Sequence, residues 1–320
     1  MGDVLAVLAP GQGSQRPGQL LPWLEVPGVR HHVAALGFAA GLDLVAAGTD
    51  APAEALTATE VTQPLVVATA LAAARSAGGA EWLGADVLAG HSVGEWAACA
   101  LAGVLDDEEV LHLVAVRARA MGAACLARST GMSAVLGGDR ADVLRRFAEL
   151  GLEAANDNGP GQLVAGGTVA ALDALGGHPP TGARVRRLAV AGAFHTAAMA
   201  GAVAPLAEAV ARVSPRDPRV PLLSCLDGAV VRDGAEVLSR LVAQVAAPVR
   251  FDKVLLTLER TGVDRVLELP PAGTLAAIAR RALPQASVTA VSTPDDLRPD
   301  RGAVPDQRPA RVVTSSRSSA

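Results

Sequence analysis

Ser92 stands in Gly90-His91-Ser92-Val93-Gly94-Glu95, a turn whose composition suits a nucleophile. The apolar run before it, Ala85–Ala89, reads as a buried strand, and Trp96–Ala102 after it reads as a helix. A G-x-S-x-G turn in that setting is a nucleophile elbow. Its glycines leave no side chain in the bend, so the serine hydroxyl stands above a helix N-terminus. Backbone N–H groups there point at any anion that forms beside it. A hydroxyl attacks poorly at neutral pH unless a base takes its proton. Of the six histidines, His31 and His32 fall in a polar segment, His178 in a proline-rich loop and His112 on a helix. His91 lies inside the turn and points away from the serine side chain. His195, in Gly192-Ala193-Phe194-His195-Thr196, falls where a strand gives way to a helix. Strand C-terminal ends form the active edge of an open α/β sheet, which makes His195 the candidate base. Packing of a loop histidine against Phe194 is the alternative.

Arg117 could supply a third chemistry. A guanidinium grips a carboxylate through two parallel hydrogen bonds. From the residues alone, Arg117 reads first as a solvated helix arginine like Arg119. Its helix opens on Asp106-Asp107-Glu108-Glu109, acids that complement the helix dipole.

The elements that must position these groups read as α/β. Val4–Ala9 is a continuous apolar run, hence a buried parallel strand, and it ends in the glycine loop Pro10-Gly11-Gln12-Gly13-Ser14-Gln15. Helices follow near 27–42 and 62–77. Over residues 129–191 the pattern changes to strand, helix, strand, strand, helix, strand, the ferredoxin-like (βαββαβ) order. Parallel α/β character then resumes, with strands at Pro221–Ser224 and Arg265–Leu269 and helices at Ala235–Val245, Phe251–Thr261 and Leu275–Leu283. Residues 295–320 are rich in Arg, Asp, Pro and Ser and read as a disordered tail.

Composition excludes several classes. Half the residues are hydrophobic, yet only 2% are aromatic and none is tyrosine, so the core must be built from Ala, Val and Leu. A formal net charge of -4 gives no overall basic field for nucleic acid or an anionic membrane. Cys99, Cys125 and Cys225 have no metal-ligand spacing, and their odd number suits a reduced cytosol. No signal-peptide pattern opens the chain, and the apolar run Leu65–Ala74 is too short to span a bilayer. The expectation is a cytoplasmic protein that needs neither metal nor membrane.

Taken together, several spaced motifs resemble a known family. They are Gly11-Gln12-Gly13-Ser14-Gln15, Gly90–Glu95, Arg117, Asn158-Gly159-Pro160-Gly161-Gln162, Ala193-Phe194-His195 and Gln244. In order and spacing they look like malonyl-CoA:acyl-carrier-protein transacylase, over residues 4–294. The resemblance implies an α/β-hydrolase-like catalytic core, residues 1–128 and 192–294, carrying a ferredoxin-like insertion at 129–191. It implies transfer of a malonyl group from malonyl-CoA to an acyl carrier protein through an ester on Ser92, with no cofactor, by a monomer. His195 would be the base, Gln244 would orient it through its backbone carbonyl, and the N–H groups of Gln12 and Val93 would form the oxyanion hole. Arg117 would hold the malonyl carboxylate. Phe194 would limit acyl bulk, with core packing as the alternative. Met121 would line the pocket or simply fill core. Gln63 would border the acyl pocket or cap its helix, and Asn158 would face the coenzyme side or only shape a turn. Arg184, Arg186 and Arg187, and Arg280 with Arg281, are candidate docking clusters for an acidic carrier or plain solvated faces.

Two segments depart from the family pattern. Pro270-Pro271-Ala272 stands where the family shows Gly-Pro-Gly, and Ala247 stands where it commonly has Asn. The altered loop keeps a rival in play, a thioesterase that clears acetyl groups from a carrier with the same Ser92 and His195. An ordinary esterase would want an acid between Ser92 and His195 in chain order; Asp157 and Asp173 fall inside the expected insertion.

Overall fold

The computed structural model describes residues 4–297. It is a mixed α/β protein with two sheets. The first has the order β11-β10-β1-β2-β7-β8 and the second β6-β3-β5-β4-β9. In chain order the strands are β1 (Leu5–Ala9), β2 (Val87–Gly90), β3 (Thr130–Gly137), β4 (Glu153–Asp157), β5 (Gln162–Thr168), β6 (Ala183–Arg187), β7 (Leu222–Leu223), β8 (Val230–Val231), β9 (Val249–Arg250), β10 (Arg265–Glu268) and β11 (Ser287–Ala290).

In the first sheet every pair is parallel except β7 with β8. All five residues of β1 are buried, as an uninterrupted apolar run in a parallel sheet requires. The β1–β2 register sets Ala9 opposite Gly90, so the glycine loop after β1 and the Ser92 turn after β2 leave the same sheet end side by side. The chain after β10 also leaves there: Leu269 N–H donates to the Leu8 carbonyl. Pro270 and Pro271 are buried beside these loops. Gly273, at φ +136°, takes the one backbone conformation there that needs glycine.

Alanine, not aromatic bulk, brings the helices together. In the helix Thr59–Ser76 every residue from Thr62 to Ala74 is buried. It packs on the helix Asp107–Leu126, which carries Arg117. Small side chains let the two backbones approach closely and lose no rotamer freedom on burial.

The second sheet contains the strands expected over 129–191, with β5 antiparallel to both β3 and β4, and β6 antiparallel to β3. It does not stop there. β9, from far outside that segment, pairs in parallel with β4 and ties the two sheets' chains together. Residues 295–297, the first of the expected tail, belong to a regular element. Pro294–Leu297 form a short 3-10 turn, because the Asp296 carboxylate accepts from the N–H groups of Ser292 and Thr293. The rest of that tail lies outside the described residues. β11 was not expected from the sequence; its Ser287–Ala290 run is short and only half apolar.

One buried acid joins three helices. Asp107 accepts two hydrogen bonds from Arg75, at 2.9 and 2.6 Å, and lies 3.3 Å from His32 Nε2. Burial alone would raise its carboxyl, but the hydrogen bonds from Arg75 and then His32 outweigh burial and hold it at about 2. A lowered carboxyl stabilises the fold above the unfolded value, near 3.8, and loses that stabilisation as pH falls toward the folded value. Arg75 is more than a third exposed, so solvent reduces the contribution to about 1–2 kcal/mol. Asp107→Asn should lower the thermal midpoint at neutral pH by about 2–4 °C. In melts taken at falling pH, that gap should close between about 4 and 2.

Candidate active site

The Ser92 turn is built by contact distances. A Cβ on Gly90 would lie 2.2 Å from the Glu95 N, and one on Gly94 would lie 2.3 Å from the Ala9 carbonyl oxygen. Neither position admits a side chain, because the helix Gly94–Leu101 starts directly against β1 and β2. Ser92 itself has φ 54°, the left-handed region that costs a non-glycine residue about 1–2 kcal/mol. That conformation turns its hydroxyl away from the sheet and over the helix start.

His195 also has a positive φ, 60°. Its position differs from the expectation. The strand before it, β6, lies at the far edge of the second sheet and ends at Arg187. The chain then runs without regular structure through 188–195 before a 3-10 helix, Ala197–Ala202. His195 reaches Ser92 from that irregular segment, not from the end of a core strand. Its Nε2 is 2.6 Å from Ser92 Oγ, and its Nδ1 is 2.8 Å from the Gln244 carbonyl oxygen. Since Nδ1 donates to that carbonyl, Nε2 is left free to accept the serine proton. Burial, and then the charge of Arg117, push the imidazole down to about 3, so at neutral pH it is an uncharged acceptor.

Arg117 is 1% exposed, which removes the reading of a solvated helix arginine. One terminal nitrogen donates to Gln63 Oε1 at 2.6 Å and the other to Ser92 Oγ at 3.2 Å. Its Nε is buried without a partner. Among the described residues no carboxylate forms an ion pair with it. Burial lowers it to about 10, against the raising field of Glu95, and it remains a cation at neutral pH. A charged guanidinium with a free donor, beside the Ser92 hydroxyl, has the chemistry to seat a small anion.

The remaining residues fall into place around these three. Gln63 is the fifth residue of its helix and caps nothing; it holds Arg117, and its Nε2 faces Met121 Sδ at 3.6 Å and Gln12 Oε1 at 3.4 Å. Met121 and Phe194 are both buried and belong to the main core cluster. Val93 precedes the helix start, and Gln12 lies in the loop after β1. Among the described residues no hydrogen bond outside regular elements engages the backbone N–H of either. Asn158 faces inward: its Oδ1 is 2.8 Å from His91 Nε2. His91 also meets the Phe251 ring at 5.5 Å and so braces the elbow from behind. A cavity of about 410 Å³ opens beyond the 159–161 turn, lined by Arg140, Asp157 and Leu255 among others; Ser92, His195 and Arg117 do not line it.

Sequence reasoning missed Glu95. An acid in a first helical turn normally complements the dipole in solvent. Here it is 2% exposed and bonded to Gln244. Its position in an otherwise apolar helix was the available signal. Among the described residues no group of three or more His, Cys, Asp or Glu could hold a metal ion, and no helix is long and apolar enough to cross a membrane.

Comparison with known proteins agrees with this architecture. The family described as "Acyl transferase domain" matches residues 8–314. The chain is thus an acyl transferase by class. It is 48% identical over 296 residues to the malonyl CoA-acyl carrier protein transacylase of Mycobacterium tuberculosis, covering 92% of this chain and 98% of that protein. The crystal structure of MCAT from the same organism superposes with a TM-score of 0.89 at 47% identity, covering 92% of this chain and 98% of the other. A type II PKS acyl-carrier protein in complex with its malonyl-transacylase gives 0.85 at 29% identity, again over 92% and 98%. This chain belongs to the malonyl CoA-acyl carrier protein transacylase family.

The steric account of the turn has a direct test. Gly94→Ala must push β1 and the elbow helix apart, and should cost about 3 kcal/mol or more. Thermal melts of that variant should show a large loss of stability; a wild-type melt would refute the close approach.

Proposed function

We propose that this chain transfers a malonyl group from malonyl-CoA to the phosphopantetheine thiol of an acyl carrier protein, through an ester on Ser92. The observation that carries the proposal is Arg117: a buried guanidinium, without a carboxylate partner, 3.2 Å from the candidate nucleophile. The substrate's free carboxylate supplies the missing charge.

Ser92 Oγ attacks the thioester carbonyl while His195 Nε2 takes its proton. The N–H groups of Gln12 and Val93 hold the oxyanion; one such donor contributes about 3–4 kcal/mol. The C–S bond breaks, His195 returns the proton to the departing sulfur, and malonyl-Ser92 remains. The carrier's thiol then attacks the ester, giving its proton to His195, which passes it to Ser92 as the C–O bond breaks. Each step moves a proton or an acyl group, so the reaction as proposed calls for no cofactor.

The carboxylate also helps the base. Arg117 is one cause of the low pKa of His195, and a malonyl carboxylate on Arg117 offsets that repulsion. An acetyl group leaves both the cation and the repulsion in place. An unpaired buried charge costs on the order of 3–5 kcal/mol, which corresponds to discrimination of about a hundredfold or more. That argues against the acetyl-clearing thioesterase. Phe194 and Met121 close the acyl side of the pocket in this reading.

In the same reading, residues 1–128 and 192–294 are an α/β-hydrolase-like core and 129–191 a ferredoxin-like insertion. The antiparallel order β6-β3-β5-β4 supports the second assignment. Exposed Arg184 and Arg186 on β6, and exposed Arg280 and Arg281 near the 158–162 turn, are the basic surfaces offered to an acidic carrier.

Intact-mass spectrometry after mixing with malonyl-CoA should detect an acyl adduct that Ser92→Ala abolishes; an adduct on that variant would overturn the assignment. Arg117→Ala should cut malonyl loading about a hundredfold while sparing acetyl loading. Unchanged selectivity would remove Arg117 from the pocket.

A further inference from the structure

Glu95 is the second residue of the elbow helix, and all its partners are neutral. It accepts from the Cys225 N–H at 3.0 Å and from the Gln244 side-chain amide at 2.6 Å, with the Ser224 side chain also bonded to it. The Gln244 contact is the informative one. Gln244 is fully buried and clamped at both ends: its carbonyl accepts from His195 Nδ1 at 2.8 Å, while its Nε2 donates to Glu95. Its Oε1 is buried with no partner. Turning the amide over would set that oxygen against a carboxylate oxygen, so Glu95 decides which way the amide faces. The 3-10 turn Gln244–Ala246, which presents the carbonyl, is thereby tethered to the helix that begins at the nucleophile.

We propose that Glu95 is a positioning residue for acyl transfer: by holding the Gln244 side chain it fixes the carbonyl that aligns His195 against Ser92. The inference rests on the Ser92–His195 reading above. It makes the alignment of the base depend on a carboxylate that never touches the base.

That dependence gives the alignment a pH response. Burial raises Glu95 to about 7, against the pull of the Cys225 N–H, Ser224 and Gln244. The titratable or charged groups around it are Cys99 on its own helix, Cys225 after β7, Arg117 on the helix Asp107–Leu126, and His195 beyond Gln244. Burial pushes both thiols up, so they stay protonated; Arg117 stays cationic, and His195 stays neutral above about 3. Glu95 is the member of this group that changes state near neutrality. As a carboxylate it accepts from Gln244; once protonated it accepts less strongly. The rate of Ser92 acylation should therefore rise with pH through about 7.

Rapid-quench measurement of acyl-enzyme formation from malonyl-CoA, on the full chain over a range of pH, tests this. Glu95→Gln should keep KM within about twofold, slow acylation about tenfold and flatten the step near neutrality, with its thermal midpoint close to that of the parent. Gln244→Leu, which keeps the backbone carbonyl, should show the same split, and the double variant should be no slower than either single one. A parental rate and pH step in Glu95→Gln, or additive losses in the double variant, overturn the proposal. So does a rate loss that tracks a fallen thermal midpoint, or failure of both single variants to fold. Ser92→Ala and His195→Ala run alongside. An adduct in the first or an unimpaired rate in the second sinks the Ser92–His195 reading itself, whatever Glu95→Gln does.

Discussion

A buried cation with no carboxylate paired to it among the described residues is the constraint on which the rest of this structure turns. Arg117 is tolerated there because Gln63 and Ser92 take two of its N–H groups. Hydrogen bonds from neutral oxygens lessen the cost of desolvation without cancelling the charge. The helix that carries Arg117 is fixed at its start by Asp107 to two other helices. Site and scaffold are one arrangement: the packing that makes the interior stable also keeps the charge in want of a partner.

The elbow places the Ser92 hydroxyl against that charge by steric exclusion. Three elements meet where Gly90 and Gly94 lie, and only hydrogen atoms fit between them. The positive φ at Ser92 is the local cost of bringing strand to helix in so few residues, and the surrounding contacts hold it. His195 carries the same kind of strain on an unrelated segment. The two side chains proposed to react, Ser92 and His195, thus sit on the two non-glycine residues with positive φ among those described.

The elbow was legible in the sequence because its requirement is local: two glycines four positions apart in a strand–helix junction admit few other structures. The buried strand β1 and the Ala-rich helix Thr59–Ser76 were legible for the same reason, from runs of one residue class. What lay beyond sequence was which face of each helix is closed. Arg117 and Arg119 look alike on one helix, and only tertiary packing buries the first. Gln63 near a helix start resembles a cap until its partner appears on a different helix. The route to His195 was read as a strand end, but the strand in question belongs to the other sheet, and local pattern carries no information on which sheet a strand joins. β9 was hidden likewise: two residues of ladder leave almost no periodic trace. The resemblance drew on several separated motifs at once, and so reached residues that no single window could identify.

The ring nitrogen of His195 away from the serine meets a peptide carbonyl, where hydrolases of related layout place an acid. A dipole steadies a forming imidazolium less than a full negative charge does, so His195, as the proposed base, is a mild one. A mild base suffices for a sulfhydryl, which ionises near 8.5, about seven units below water at 15.7. If Ser92 holds an acyl ester as proposed, this gap favours the carrier's sulfur over water in the second half of the reaction, while the first half, which must draw a proton from the Ser92 hydroxyl, leans on the 2.6 Å contact with His195 and the neighbouring charge of Arg117.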